Sequence, residues 1–381
     1  MLTCKKSKFS IPPRVTYLNC AYMSPMLKDA EKSGIRALRK KRDPSSILPH
    51  DFFAESDDLR REFAKLTNVP DPTRIVIIPS TSYALSIVAN NVKVSRGDTI
   101  IVIGEEFPSN YYPWQRLAQE SGATLKVIAP PDVQSGRGRK WNENILESID
   151  ATTKVVAMGN VHWADGTLFH LVEIRKRTLE VGALLIVDGT QSVGALPFDV
   201  GIIKPDALIC AAYKWLLGPY SIGLAYFGEH FDGGRPIEES WMNRLNSEDF
   251  TSLVNYESGY QPGALRYEVG EHSNFIHVSM LLKSLQQINR WGVSNIQEYC
   301  RTITDQATMT LTEKGYWIEE AEYRGAHLFG IRIPEKDIQL IRQSFSRHKI
   351  FVSFRGNAIR VAPNVYNDGR DLSRLAKVLT R

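Results

Sequence analysis

Two segments of this chain hold residue types that can act together. Asp188-Gly189-Thr190-Gln191-Ser192 closes the apolar run Ala183–Val187, and Ala212-Tyr213-Lys214-Trp215 closes the run Ala207–Ala211, shortly before a Gly218-Pro219 turn. Each run reads as a buried strand, so a carboxylate and a primary amine are delivered at two strand ends. Pyridoxal phosphate needs that pair. The lysine forms a Schiff base with the cofactor's aldehyde, and the carboxylate pairs with the pyridinium nitrogen so that the ring can act as an electron sink. The plain alternative is a structural acid and a surface lysine.

Other polar groups follow neighbouring strand candidates. Ser80-Thr81-Ser82 comes after Ile75–Ile78 and opens a helical pattern, where hydroxyls and free backbone N–H groups make a phosphate seat, or else only an N-cap. Glu105-Glu106-Phe107-Pro108-Ser109-Asn110 follows Thr99–Gly104, and Phe107 would stack on a flat ring unless it is simply packing. Asn160-Val161-His162-Trp163-Ala164-Asp165-Gly166 follows Lys154–Gly159. It makes His162 a candidate for substrate contact, although a lone histidine is more often structural. Arg355 and Arg360 flank the turn Gly356-Asn357-Ala358-Ile359, and one of them would clamp a carboxylate with its planar two-donor fork. Arginine on a strand otherwise usually faces solvent.

The elements that must position these residues alternate along the chain. Strands are expected at Arg74–Pro79, Thr99–Gly104, Thr124–Ala129, Lys154–Gly159, Ala183–Asp188, Ala207–Ala211 and Ser221–Phe227, with helices such as Ser109–Ser121 and Leu171–Val181 between them. Continuous apolar strands alternating with helices predict an α/β fold with a mostly parallel sheet covered on both faces, whose ligands gather at the carboxyl ends. From about Arg266 the pattern changes. A long helical region over Phe275–Lys314, broken at Gly292, leads to a strand at His327–Pro334 and a helix at Lys336–His348. Strands at Ile350–Phe354 and Ala358–Val361 and a last helix from Asp371 follow. This predicts a smaller C-terminal α/β unit. Gly136-Arg137-Gly138-Arg139-Lys140 reads as an exposed loop.

Composition sets the class. The 381 residues are 43% hydrophobic and 23% charged with a net charge of +5, ordinary values for a globular enzyme large enough for two or three domains. The basic run Arg39-Lys40-Lys41-Arg42 reads as a solvated helix face rather than a nucleic-acid patch. The four scattered cysteines, Cys4, Cys20, Cys210 and Cys300, form no metal or disulfide framework and suit a reducing compartment. No run is long enough to span a bilayer and no apolar leader is visible, so a cytoplasmic protein without membrane or nucleic-acid partners is expected.

Taken in order, these segments resemble the class V aminotransferase family of fold-type I pyridoxal-phosphate enzymes. Its most specific pieces here are Val187–Gly194, Tyr213-Lys214-Trp215-Leu216-Leu217-Gly218-Pro219, Glu106–Trp114 and Arg266–Gly270, within a span from Tyr17 to Asn367. The resemblance implies a large, mostly parallel seven-stranded sheet domain at 21–265, a small C-terminal domain at 266–381, and an N-terminal segment, 1–20, that lines the site. It implies that Lys214 holds the aldimine, Asp188 the pyridine nitrogen and Gln191 the phenolic oxygen or aldimine edge. Thr81, Ser82 and Tyr213 would bind phosphate, and Phe107 would stack on the ring. Arg360 would receive a substrate carboxylate, with Asn19, Trp163 and His162 nearby. A homodimer with shared sites is implied, Trp241 or the Glu271–Asn274 stretch with Ser273 being the borrowed part.

The departures from the family pattern narrow the reaction. Desulfurases in the family carry a loop with a nucleophilic cysteine before the carboxylate-binding arginine, and here no cysteine lies near Arg355 and Arg360 in sequence. Trp163 and Phe107 stand where desulfurases place an asparagine and a histidine, a pattern more like the kynureninase and isopenicillin N epimerase branch. Ala211 stands where some relatives use a hydroxyl on the phosphate. The expected chemistry proceeds through an external aldimine and a Cα carbanion. Its expected form is aminotransferase-like, with a lyase or epimerase on the same scaffold, or a non-catalytic cofactor-binding protein, as alternatives. Tyr22, Phe107 and Trp163 hint at an apolar or ring-bearing side chain.

Overall fold

The computed structural model describes residues 2–133, 135–332, 338–356 and 358–380. Its first strand, β1 (Thr16–Tyr17), is followed by β2 (Ile75–Ile78), β3 (Thr99–Ile103), β4 (Thr124–Ile128), β5 (Thr153–Gly159), β6 (Leu184–Asp188), β7 (Ala207–Ala211) and β8 (Gly223–Phe227). The last seven form one sheet in the order β2-β8-β7-β6-β5-β3-β4. Neighbours from β4 to β7 are parallel, whereas β8 runs antiparallel to both β7 and β2. Parallel neighbours need long crossovers, and the helices Tyr112–Ser121, Arg137–Ser148 and Leu171–Val181 lie in such connections. The β7–β8 pair is antiparallel, so a short loop suffices, and that loop carries Lys214.

Both faces of this sheet are covered. Met158, Leu185 and Val187 belong to one apolar core and Ala157 and Ile186 to the other, the period-two alternation of a strand. Because β5, β6 and β7 are adjacent, Gly159, Asp188 and the Lys214 loop emerge side by side at one sheet edge.

The second sheet consists of β9 (Trp317–Ile318), β10 (Phe329–Arg332), β12 (Ser353–Arg355) and β13 (Ala358–Val361), in the antiparallel order β12-β13-β10-β9. The single strand expected at Ile350–Phe354 is divided. Its first half, β11 (Ile350–Phe351), pairs in parallel with β1 instead. The end of the strand expected at His327–Pro334, the start of the helix expected at Lys336 and Asn357 fall outside the described residues; the helix is described over Ile338–Arg347.

Two boundary expectations shift when packing is considered. The helix Phe275–Trp291 buries Val278, Leu281, Leu285 and Ile288 in the core of the large sheet, not in that of the C-terminal sheet. Leu18 packs with Phe329, Ile359 and Leu375, so part of the N-terminal segment belongs to the C-terminal core. The expected loop at Gly136–Lys140 is also different: a helix begins at Arg137, which is buried with Nη1 2.8 Å from Asp165 Oδ2. A paired charge on a helix start reads as a polar loop when its partner is far along the chain.

The turn after Asp188 and the turn carrying Lys214 touch through backbone. Gly194 has φ +103°, and a Cβ placed there would lie 2.5 Å from the carbonyl oxygen of Trp215. Both the dihedral and the contact exclude a side chain. Gly194→Ala should cost more than about 1 kcal/mol and lower the thermal midpoint, measurable by differential scanning calorimetry. An unchanged midpoint would mean that the two turns tolerate separation.

Candidate active site

Asp188 ends β6, and Lys214 follows β7 after two residues of turn. Both are buried, and both line one cavity with Thr81, Glu106, Phe107, Trp163, Thr190, Gln191, Ala211 and Tyr213. Lys214 Nζ lies 5.4 Å from the ring centroids of both Phe107 and Tyr213 and has no hydrogen-bond acceptor among the described residues. Burial disfavours its charge. Asp188 pulls the other way, but the cations of Arg360 and Arg355 add to burial and bring the amine down to about 8. Asp188 Oδ1 accepts the Thr190 N–H at 2.9 Å. Burial raises its pKa, while the Thr190 hydrogen bonds and the Lys214 cation oppose that rise.

Phe107 is aimed by an acid that sequence reading passed over. Glu106 Oε1 accepts the Phe107 N–H at 2.7 Å, and Oε2 accepts the Gly159 N–H and the Asn110 side-chain amide, each at 3.2 Å. Gly159 is the cross-strand partner of Asp188. One carboxyl thus ties the loop bearing the aromatic ring to the strand beside the site acid. Burial first, and Asp188 second, push Glu106 up to about 7. The run of two glutamates after a strand gave no sign of which one turns inward. Glu105 has φ +53°, which sets that turn, and its carbonyl accepts Trp163 Nε1 at 2.7 Å.

Thr81 opens the helix Thr81–Asn90, whose N-cap Ser80 accepts the Tyr83 N–H at 3.2 Å and faces the Ser82 hydroxyl at 2.9 Å. The amides of Thr81 and Ser82 have no partner in the helix, which leaves them for an anion. Tyr213 leans on Tyr220 with centroids 4.7 Å apart. Gln191 lines the cavity, but its Oε1 accepts Trp215 Nε1 at 3.1 Å and its Nε2 donates to the Ala21 carbonyl at 3.2 Å. It braces the two turns and the N-terminal segment as well as facing the cavity.

Arg360 is 1% exposed, and no carboxylate pairs with it among the described residues. Its Nη1 donates to the Trp163 carbonyl at 2.7 Å and its Nη2 to the Ser353 hydroxyl at 3.3 Å, while Nε is buried without a partner. Burial, reinforced by Arg355, brings this guanidinium down to about 9. Asn19 Oδ1 accepts the Ser353 hydroxyl at 2.8 Å, placing Asn19 in the same cluster.

His162 is corrected by the structure. Its Nδ1 lies 2.9 Å from Asp165 Oδ1 and its Nε2 3.2 Å from the Glu105 carbonyl, so both nitrogens face protein acceptors and the ring does not line the cavity. Burial works against its charged form, but Asp165 and Glu106 outweigh it and raise its pKa. His162 is therefore a structural pin. Trp241 and Ser273 also lie outside this cavity, Trp241 packing on Phe53 and Phe250 at 40% exposure. Two cysteines distant in sequence from the arginines lie against the turns that bear Asp188 and Lys214. Cys20 Sγ is 3.8 Å from the Lys214 carbonyl, and Cys210 sits under Gly189. Both are buried; burial raises Cys20 to about 11 and, with Asp188, lifts Cys210 well above the usual thiol range. Neither has the character of a nucleophile.

Comparison with known proteins gives this geometry a family. The family described as Aminotransferase class-V matches residues 45–365. The chain belongs to the class V aminotransferase family. An uncharacterised aminotransferase of Bacillus subtilis is 27% identical over 314 residues, covering 82% of this chain and 80% of that one. A probable cysteine desulfurase of Methanothermobacter thermautotrophicus is 30% identical over 243 residues, which span 62% of this chain and 57% of the relative. Among solved structures, the apo cysteine desulfurase of Thermococcus onnurineus superposes with a TM-score of 0.85 at 21% identity, covering 100% of this chain and 98% of that one. The cystine C–S lyase C-DES, solved with its product cysteine persulfide, gives 0.85 at 19% identity over 97% of this chain and 98% of that one.

The family's cofactor is pyridoxal 5'-phosphate, and the residues present fit it. An amine with no acceptor among the described residues, a buried carboxylate, an aromatic ring beside the amine and a helix N-terminus border the same cavity. No helix among the described residues is long and apolar enough to cross a membrane.

The lowered pKa of Lys214 has a measurable consequence. The neutral, nucleophilic fraction of an amine rises with pH through its pKa, here about 8 instead of 10.5. The rate at which cofactor-free protein captures pyridoxal phosphate, followed by absorbance, should therefore level off above about pH 8. A rate still climbing at pH 10 would show that the amine is not perturbed.

Proposed function

We propose that the chain is a pyridoxal-phosphate enzyme that acts on an amino acid at Cα as an aminotransferase. The observation that carries this reading is the buried, unpartnered Lys214 amine sharing one cavity with Asp188. Lys214 would hold the cofactor's aldehyde carbon, Asp188 its ring nitrogen, and Phe107 its face. Thr81, Ser82 and Tyr213 would take the phosphate and Gln191 the ring edge. When bound, the cofactor supplies an electron-accepting ring.

The remaining chemistry belongs to the protein. Arg360 offers an uncompensated buried cation for the substrate carboxylate, with Asn19 and Trp163 in the same cluster. Lys214, whose amine in the cofactor-free cavity is brought down to about 8, would be the group placed to accept and return a proton once the incoming amine displaces it. The proton's destination separates the reactions. Return of the proton by Lys214 to the substrate's opposite face would give an epimerase, whereas the bound cofactor would supply the chemistry for a transaminase or, with loss of a side-chain group, a lyase.

Inert burial of Cys20 and Cys210 supports a reaction without a persulfide on this chain, and Phe107 with Trp163 supports the kynureninase- and epimerase-like branch. Trp241 belongs with exposed Val254 and Tyr256, which is 98% exposed, in a region that would pack against a second copy in a homodimer. A cytoplasmic location is part of the same reading.

The purified protein should show a visible cofactor band that is missing in Lys214→Ala, and amino acids should perturb it. Sustained turnover that requires a keto acid would establish a transaminase, whereas turnover without one would favour the lyase or epimerase. Asp188→Ala should cost about 10²-fold or more in turnover. A band that no amine perturbs would leave a cofactor-binding protein, and no band after adding the cofactor would overturn the proposal.

A further inference from the structure

We propose that Arg355 and Arg360 form a two-pronged anion site, and that the amino acid this enzyme takes carries a second negative group on its side chain. The inference rests on the reading of the Lys214 cavity as an amino-acid site and names its substrate class. Arg360 alone accounts for the α-carboxylate. The second cation needs its own explanation.

Strand register puts both arginines on one face. In the β12–β13 hairpin Ser353 pairs with Arg360 and Arg355 with Ala358. Residues directly opposite share a face, as do residues two apart on one strand, so Ser353, Arg355 and Arg360 project together. Arg355 is then the diagonal neighbour of Arg360, a relation that separates backbones by about 7–8 Å. Long guanidinium side chains at that spacing suit two linked anions better than a single carboxylate gripped twice.

Trp163 carries both cations to the cavity. Arg360 Nη1 donates to its carbonyl at 2.7 Å, and the Arg355 guanidinium carbon lies 5.3 Å from its ring centroid. That ring meets Phe107 edge to face at 5.5 Å, and Phe107 lies 5.4 Å from Lys214 Nζ. Lys214 is close enough for both arginines to disfavour its charge. The aromatic residues that suggested an apolar side chain are therefore differently disposed. Arg355 lies over the Trp163 ring, and Tyr22 is largely exposed.

Neither cation has a carboxylate partner among the described residues, and the Nε of each is buried without a hydrogen-bond partner. Arg355 Nη1 reaches only the carbonyl of Phe354, at 2.9 Å. By contrast, buried Arg60 and Arg137 each have a carboxylate. Two adjacent guanidinium groups repel each other, and half-buried orphan donors cost free energy unless a ligand satisfies them. An amino acid ending in a carboxylate, sulfinate or phosphate satisfies both at once.

The test is a visible titration of the purified holoenzyme. L-Aspartate, L-glutamate, L-cysteine sulfinate and O-phospho-L-serine would be compared with L-asparagine, L-glutamine and L-serine. At least one acid should half-saturate the band shift at about tenfold lower concentration than its neutral counterpart, and Arg355→Gln should erase that advantage. Neutral amino acids that bind equally well, or a preference that survives Arg355→Gln, would overturn the proposal. Thermal denaturation with succinate or glutarate, against acetate, provides an arm that needs no band. Dicarboxylates should raise the midpoint of wild type but not of Arg355→Gln, and equal stabilisation of both would also overturn it. A protein that lacks a cofactor band yet is stabilised by succinate through Arg355 would keep the anion site and refute the cofactor reading instead.

Discussion

An amine and a carboxylate share one small buried space at the sheet edge, and the surrounding structure serves that arrangement. Each charge alone is disfavoured there, since removing an ion from water costs several kcal/mol, of which a partner recovers only part. The sheet order brings them together by placing β5, β6 and β7 side by side. Gln191 and Trp215 then lock the two turns to each other, and Gly194 lets their backbones approach. What remains uncompensated is the amine itself, kept weakly basic by burial and two nearby guanidinium groups.

Charge in this region is distributed with a clear bias. The acid Asp165 is paired with Arg137, Arg332 and His162, which together hold its carboxyl well below the usual range despite burial. That cluster braces the Trp163 segment from behind. Beside Trp163, no carboxylate pairs with Arg355 or Arg360 among the described residues. The loop at 160–166 thus stands between the two kinds of charge, with His162 and Asp165 turned inward and Trp163 turned to the cavity and to the arginines.

The large sheet was legible because its strands are short apolar runs between helical patterns, a signal that needs no knowledge of distant partners. Asp188 and Lys214 were legible for the same reason, each being the polar residue at such a run's end. What escaped depends on long-range pairing. Ile350–Phe351 joins β1 rather than β12 because its partner lies at the other end of the chain, and Arg137 looked solvent-exposed because Asp165 is what buries it. Glu106 was hidden beside Glu105 because only the backbone turn decides which side chain enters the core. His162 drew attention by type, but its two nitrogens are spent on Asp165 and Glu105.

The N-terminal segment has one further consequence. Ala21 accepts from Gln191, Ser24 donates to the Tyr213 carbonyl, and Leu18 exchanges backbone contact with Ala362, while Asn19 meets Ser353 across 334 positions of sequence. During synthesis this segment emerges long before its partners Ser353 and Ala362. The residues that would hold cofactor are complete well before those that would hold substrate. On that reading specificity would be acquired after cofactor binding as the chain is made, and would be the first property lost if the β12–β13 hairpin worked loose.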